Sequence, residues 1–151
     1  MAIDVTIETT IARGPQDVYT RISDLESWPS WLIASGIVSV TRSSVGPVVI
    51  GERLTVEQRA GGRAGTFSAE ISALEPPARL GLHGRDRDGL SIDIAAVLAP
   101  AGGATALRWS IRIGLPIRFR AFESMARPQV ERAAALDIEA LRRGLEATPT
   151  G

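Results

Sequence analysis

The fold turns on residues 105–145, TALRWSIRIGLPIRFRAFESMARPQVERAAALDIEALRRGL, where the hydrophobic period changes. In its first part Leu107, Trp109, Ile111 and Ile113 stand at every second position with Arg108 and Arg112 between them, the pattern of a strand with one buried face. From Pro116 that alternation stops. Phe119, Phe122, Ala126, Val130, Ala133, Ala134, Ile138, Leu141 and Leu145 then recur mostly three and four apart, which predicts an amphipathic helix. Glu123 with Arg127 and Glu139 with Arg143 are i,i+4 pairs of favourable sign on its outer side, each worth about 0.3 kcal/mol. Pro128 has no N–H to give to a helix interior. The pattern therefore predicts a short helical lead-in, a kink or fresh start at Pro128, and a main helix of about 20 residues, roughly 30 Å long.

Such a helix needs an apolar surface to lie on, and the preceding chain supplies one. Ile3, Val5, Ile7, Thr9 and Ile11 alternate with Asp4, Thr6, Glu8 and Thr10, giving a half-buried first strand. Pro15 at a first helical position, with Val18, Tyr19 and Ile22 behind it, predicts a short helix. A second is expected to begin around Pro29, within Ser27-Trp28-Pro29-Ser30-Trp31-Leu32. Six strands follow, near Ile37 to Arg42, Glu52 to Gln58, Gly65 to Leu74, Arg79 to Arg85, Leu90 to Leu98 and Thr105 to Ile113, separated by glycine and proline clusters. The connections are too short for parallel crossovers, so the strands should form an antiparallel meander. One face collects Leu54, Val56, Phe67, Ala69, Ile71, Leu80, Leu82, Ile92, Ile94, Leu107, Trp109, Ile111 and Ile113, and the other Arg53, Glu57, Glu70, His83, Asp93, Arg108 and Arg112. The fold class expected is α+β, a seven-stranded antiparallel sheet curved around a long C-terminal helix, in the order β-α-α-β6-α.

Composition narrows the function. A chain of 151 residues fits one domain, 1–151, with Thr148 to Gly151 as a loose tail. Seventeen basic residues, all arginine, balance seventeen acidic ones, which argues against nucleic acid or an anionic membrane as partner. There is no cysteine, so disulfides, thiolate chemistry and cysteine-held metals are excluded. With one histidine and no HxxxH or HExxH spacing, neither a metal nor another cofactor is expected. Gly61-Gly62-Arg63-Ala64-Gly65 lacks the GK[ST] ending of a phosphate loop and reads as a hairpin turn. No basic segment leads into an apolar one at Met1 to Val5, and no apolar run approaches the roughly 18 residues of a bilayer span. A cytoplasmic protein without stable membrane insertion is the expectation.

Ile7 through Pro15, Val18-Tyr19-Thr20-Arg21-Ile22-Ser23-Asp24, Trp28-Pro29-Ser30-Trp31, Arg127-Pro128 and Asp137-Ile138-Glu139-Ala140-Leu141-Arg142 together resemble the START-like, or SRPBCC, superfamily, and within it the bacterial polyketide cyclase/dehydrase-type proteins. The resemblance covers nearly the whole chain through structural motifs. It implies the helix-grip fold and an elongated hydrophobic pocket between sheet and terminal helix, with a mouth near the two short helices and neighbouring loops. Its walls would come from Leu54, Val56, Phe67, Ile71, Leu82, Ile94 and Trp109 of the sheet and Phe119, Phe122 and Val130 of the helix.

Trp28 and Trp31 flank Pro29 and serve either as an aromatic rim to that pocket or as pins holding the short helix to the core. Trp109 is either cavity wall or core filler, and its indole N–H needs a partner if buried. His83, the lone histidine, falls with Arg79 and Arg85 on the solvated face unless a bulge beside Gly81 or Gly84 turns it inward. Tyr19 offers a hydroxyl but sits among packing residues. Cyclases of the family are expected to hold arginine or tyrosine inside the cavity, and alternation supplies little of this beyond Gln58 and Arg59 or Arg63 near a strand end. The leading expectation is binding or carriage of a small hydrophobic molecule, such as a lipid, polyketide, isoprenoid or aromatic metabolite. The alternatives are an aromatase/cyclase using Tyr19, His83 or an inward arginine for protons, and an interaction module with a collapsed pocket.

Overall fold

The computed structural model describes residues 2–60 and 62–147; the tail expected at Thr148 to Gly151 lies outside the described residues. The elements run β1 (Ala2–Ile11), α1 (Pro15–Ser23), a 3₁₀ turn (Leu25–Ser30), β2 (Ile37–Arg42), β3 (Arg53–Ala60), β4 (Arg63–Glu75), β5 (Arg79–Arg85), β6 (Ser91–Ala101), β7 (Ala104–Gly114), a second 3₁₀ turn (Ile117–Phe122) and α2 (Glu123–Ala147). The seven strands form one antiparallel sheet ordered β1-β7-β6-β5-β4-β3-β2. β2 to β7 are thus a meander, and β1 closes onto β7 with Ile7 opposite Trp109 and Val5 opposite Ile111.

Three details depart from the sequence expectations. The second short helix is a 3₁₀ turn that starts at Leu25, ahead of Pro29, and ends just past that proline. Phe119 and Phe122 lie in the second 3₁₀ turn, ahead of α2. α2 itself runs 25 residues from Glu123, through Pro128. Pro128 is the sixth residue of α2, so it removes only one hydrogen bond of the helix's opening turns.

Inner-face residues line up in rows across the sheet. Val5, Ile111, Ile94, Leu82 and Ile71 form one row. Ile3, Ile113, Ile92, Gly84, Ala69 and Leu54 form the next, and Ile7, Trp109, Ala96 and Leu80 a third. α1 packs at one end of these rows, where Val18 and Ile22 are fully buried. It is tied there by the Tyr19 hydroxyl donating to the carbonyl of Arg79 at 3.1 Å, and by the Thr105 hydroxyl donating to the carbonyl of Arg13 at 2.7 Å.

α2 lies along β1 and is clamped at three levels. Arg127 donates to the carbonyls of Ala2 and Asp4, and the Glu146 carboxylate accepts the N–H of Ala12 at 2.9 Å. Midway, Asp137 accepts two N–H groups from the segment before β2, the opposite edge of the sheet. The C-terminal half of α2 buries Ala134, Ile138 and Leu141 in the core. Its N-terminal half presents Ala126 and Val130, which are only partly buried.

Candidate functional site

The two halves of the inner face are packed differently. Towards α1 the core is closed by Trp28, Trp31 and Trp109, each 2% exposed or less. Their rings pack edge to face, with centroids 6.1 Å apart for Trp28 and Trp31, 5.8 Å for Trp28 and Trp109, and 5.4 Å for Trp31 and Trp109. Such pairs add roughly 0.5–1.5 kcal/mol each beyond area burial. The Trp28 N–H donates to the carbonyl of Ile22 at 2.8 Å. Those of Trp31 and Trp109 have no acceptor among the described residues, a state that costs about 1–3 kcal/mol for each buried donor.

Away from the tryptophans the packing loosens. Leu90, Ile92, Ile94, Ile113 and Leu115 are partly buried, as are Ala126 and Val130 of α2. The strands open at this end because residues 63–67 of β4 extend beyond the last β4–β5 pair, Ser68 with Arg85. A cleft of about 860 Å³ occupies the gap, with Gln58, Phe67 and Leu90 towards the inner side and Arg63, Arg85, Asp86, Arg87 and Asp88 around it. That volume is in the range of small-molecule sites. The second 3₁₀ turn reaches this region, since Arg118 donates to the carbonyl of Asp88 and Pro116 packs within 3.2 Å of where a Cβ on Gly89 would stand. Arg118 lies over the Phe119 ring, 5.0 Å from its centroid, and Ile117, Phe122 and Met125 stand exposed beside it.

The expected wall residues are divided by this arrangement. Leu54, Val56, Ile71 and Leu82 are buried on the inner face, Phe67 lines the cleft, Ile94 is half-buried, and Trp28, Trp31 and Trp109 form the closed end. Phe119 and Val130 are half-buried. Phe122 is 55% exposed and points away from the core, because the 3₁₀ turn rotates it off the stripe that a continuous helix would have given it. The opening at the cleft lies at the strand ends opposite α1, whereas the resemblance implied a mouth near the short helices.

Neither candidate for proton handling reaches the half-buried stretch. Tyr19 commits its hydroxyl to the Arg79 carbonyl, and burial, then Glu75, raises its pKa above the ordinary 10.0. His83 stands on the outer face between Glu70 and Asp93, its Nδ1 2.6 Å from the Asp93 carboxylate; the β4 bulge near Ile71 does not turn it inward. Of the polar groups expected near the cleft, Gln58 donates its amide to the carbonyl of Ser35 at 2.8 Å, and Arg63 meets Asp88 at 3.4 Å in a largely exposed pair. Arg59 is exposed and uses its backbone N–H on the carbonyl of Gly36. Among the described residues no group of three or more His, Asp or Glu is placed to hold a metal, and no helix is long and apolar enough to cross a membrane.

Two buried acids that brace the fold were not singled out from sequence. Asp137 is 1% exposed, and burial raises its pKa although the Ser35 hydroxyl and the N–H groups of Ala34 and Ser35 pull the other way. The signal was its place on the apolar stripe, between Ala134 and Leu141. Glu52 is also buried and takes a two-pronged hydrogen bond from Arg42, at 2.6 Å from Nε and 2.9 Å from Nη2. Alternation with Leu54 and Val56 marks it as inward.

Comparison with known proteins agrees with this architecture. The family described as "Polyketide cyclase / dehydrase and lipid transport" matches residues 2–146. No curated protein sequence matches the chain. Among solved structures, the Zhui aromatase/cyclase from Streptomyces sp. R1128 superposes with a TM-score of 0.76 at 14% identity, covering 97% of this chain and 94% of that one. A START superfamily protein from Mycobacterium smegmatis gives 0.69 at 16% identity, covering 95% and 94%. The protein TTHA0849 from Thermus thermophilus gives 0.68 at 22% identity, with the same coverage of 95% and 94%. These likenesses show the helix-grip fold. With that family matched over residues 2–146, the chain belongs to the polyketide cyclase/dehydrase and lipid transport family.

Proposed function

We propose that the protein binds a small hydrophobic molecule, of the lipid, polyketide, isoprenoid or aromatic metabolite kind, in the space between the inner sheet face and the N-terminal half of α2. The observations that carry this reading are the half-buried apolar residues Ile92, Ile94 and Ile113 and, at the same end of the sheet, a cleft of about 860 Å³ lined in part by Phe67 and Leu90. Covering that stretch with an apolar ligand removes surface from water at about 25 cal/mol per Å². Family membership supports the same reading. A cyclase role would need a proton donor in the groove, and the engagement of Tyr19 and the outer position of His83 favour binding over that chemistry.

The test is titration with the uncharged fluorophore phenylnaphthylamine, alongside native mass spectrometry of the protein as purified. Saturable one-to-one binding, lost in Ile92→Trp without loss of the folded state, is the expected result. No saturable binding would leave a collapsed pocket and an interaction module.

A further inference from the structure

The segment Pro116-Ile117-Arg118-Phe119-Arg120-Ala121-Phe122 and the first turn of α2 hold apolar side chains out in water. Ile117 is 79% exposed, Met125 67% and Phe122 55%, although all three fall in one short stretch. The backbone beneath them is fixed. Pro116 packs at Gly89, Arg118 donates to the carbonyl of Asp88 and lies over the Phe119 ring, and Phe119 sits half-buried with its centroid 6.5 Å from that of Phe122. The exposed side chains therefore stand outward on a braced turn, beside the cleft that Asp88 and Leu90 help to line. Apolar residues grouped in this way on a surface mark an interaction site.

The charge around them indicates what covers them. Residues 115–122 carry Arg118 and Arg120 and no acid, and the exposed Arg120 guanidinium has no partner among the described residues. Neighbouring acids are already matched. Glu123 pairs with Arg127 at 2.9 Å, Asp88 meets Arg63, and the Asp86 carboxylate takes the N–H groups of Asp88 and Leu90 with Arg87 between them. Charges more than about 8 Å apart are largely screened at physiological salt, so a surface in contact with this turn senses its basic excess and not the even balance of the whole chain. A second copy joined about a two-fold axis would set arginines against arginines. A folded protein partner needs about 800 Å² on each side, more than one 3₁₀ turn and the start of a helix can offer. A lipid interface needs no matching shape, since it takes apolar side chains among its acyl chains while arginines reach its head groups. We infer that this turn docks the protein reversibly on an anionic lipid surface, with the cleft beside the bilayer. The docking goes beyond the ligand binding proposed above and stands on separate residues.

The experiment is co-sedimentation with vesicles of pure phosphatidylcholine and with vesicles of equal parts phosphatidylcholine and phosphatidylglycerol. Binding should be strong on the anionic vesicles, weak on the neutral ones, and should decline as salt is raised. Arg120→Ala should weaken it about fivefold, the share of one basic residue near such a surface. Phe122→Ser combined with Met125→Ser should weaken it about tenfold, and both positions are exposed enough to leave folding intact. Val45 is 97% exposed in the loop between β2 and β3, at the other end of the sheet from the cleft, and Val45→Ser should leave binding unchanged. No binding to anionic vesicles at low salt, or binding that survives the double variant, would overturn the docking. A dimer in sedimentation velocity that the double variant abolishes, with no vesicle binding, would assign the surface to a second copy instead. These assays contain no phenylnaphthylamine, so docking can fail while the groove still binds its probe, and the converse.

Discussion

Asp137 of α2 accepts the backbone N–H of Ala34 at 2.7 Å through one carboxylate oxygen, while the other takes the N–H of Ser35 at 3.0 Å. A side chain on the gripped helix thereby holds the segment that enters β2, the sheet edge farthest in order from β1. Asp137→Ala should destabilise the protein by about 2 kcal/mol in urea denaturation, because two partly buried donors lose their acceptor.

The same carboxyl sets a pH dependence. Burial raises its pKa above the ordinary 3.8, so the folded state holds the proton more firmly than the unfolded chain. That contribution is fully present below pH 3.8 and is lost as pH rises through the raised value. Wild-type stability measured relative to Asp137→Asn should therefore fall as pH increases from about 4 and then level off. A difference that stays constant from acid to neutral pH would contradict this.

Arg42 and Glu52 should behave in the opposite sense. The Arg42 hydrogen bonds hold the Glu52 carboxyl below its ordinary 4.5 against the effect of burial, so its stabilisation is present above pH 4.5 and lost as pH falls through the lowered value. Arg42→Ala leaves a buried carboxylate uncompensated and should cost about 3 kcal/mol or more, whereas Arg42→Met with Glu52→Leu should recover most of it. Paired denaturation curves of the single and double variants check this.

Among the described glycines, Gly36 is the tightest. Its φ is +76°, and a Cβ there would stand 1.8 Å from the carbonyl oxygen of Arg59, whose N–H donates back to Gly36 at 2.7 Å. Gly36→Ala should cost about 3 kcal/mol or more, since fixed backbone on both sides leaves nothing to yield. By contrast, Gly14 has φ −66° and open space at its Cβ, so Gly14→Ala should stay within about 0.5 kcal/mol. Thermal unfolding of the two variants beside the wild type checks the contrast.

The sequence showed what period alone determines. Alternation placed β2 at Ile37–Arg42 and β5 at Arg79–Arg85 as observed, and assigned Leu82, Ile94 and Trp109 to one face because a strand admits only two. It could not separate a 3₁₀ turn from the start of an α-helix at Ile117–Phe122, since both bring apolar residues round at three to four positions. Phe122 was misassigned to the stripe for that reason. Nor does a face assignment say how tightly a residue is covered. Ile71 and Ile94 share a row, yet one is 1% exposed and the other half-buried, a difference set by where α1, the tryptophans and α2 end. Asp137 and Glu52 were legible in principle, as acids on apolar faces; their partners, backbone N–H groups and an arginine ten residues away, were not.

The most direct test of the groove is a titration of isoleucine-methyl-labelled protein with phenylnaphthylamine, read by methyl NMR. The account requires that the Ile92, Ile94 and Ile113 methyls shift together along one saturating curve while those of Ile33 and Ile50, exposed elsewhere on the surface, stay fixed. Shifts confined to Ile33 and Ile50, or a linear response with no saturation, would contradict it.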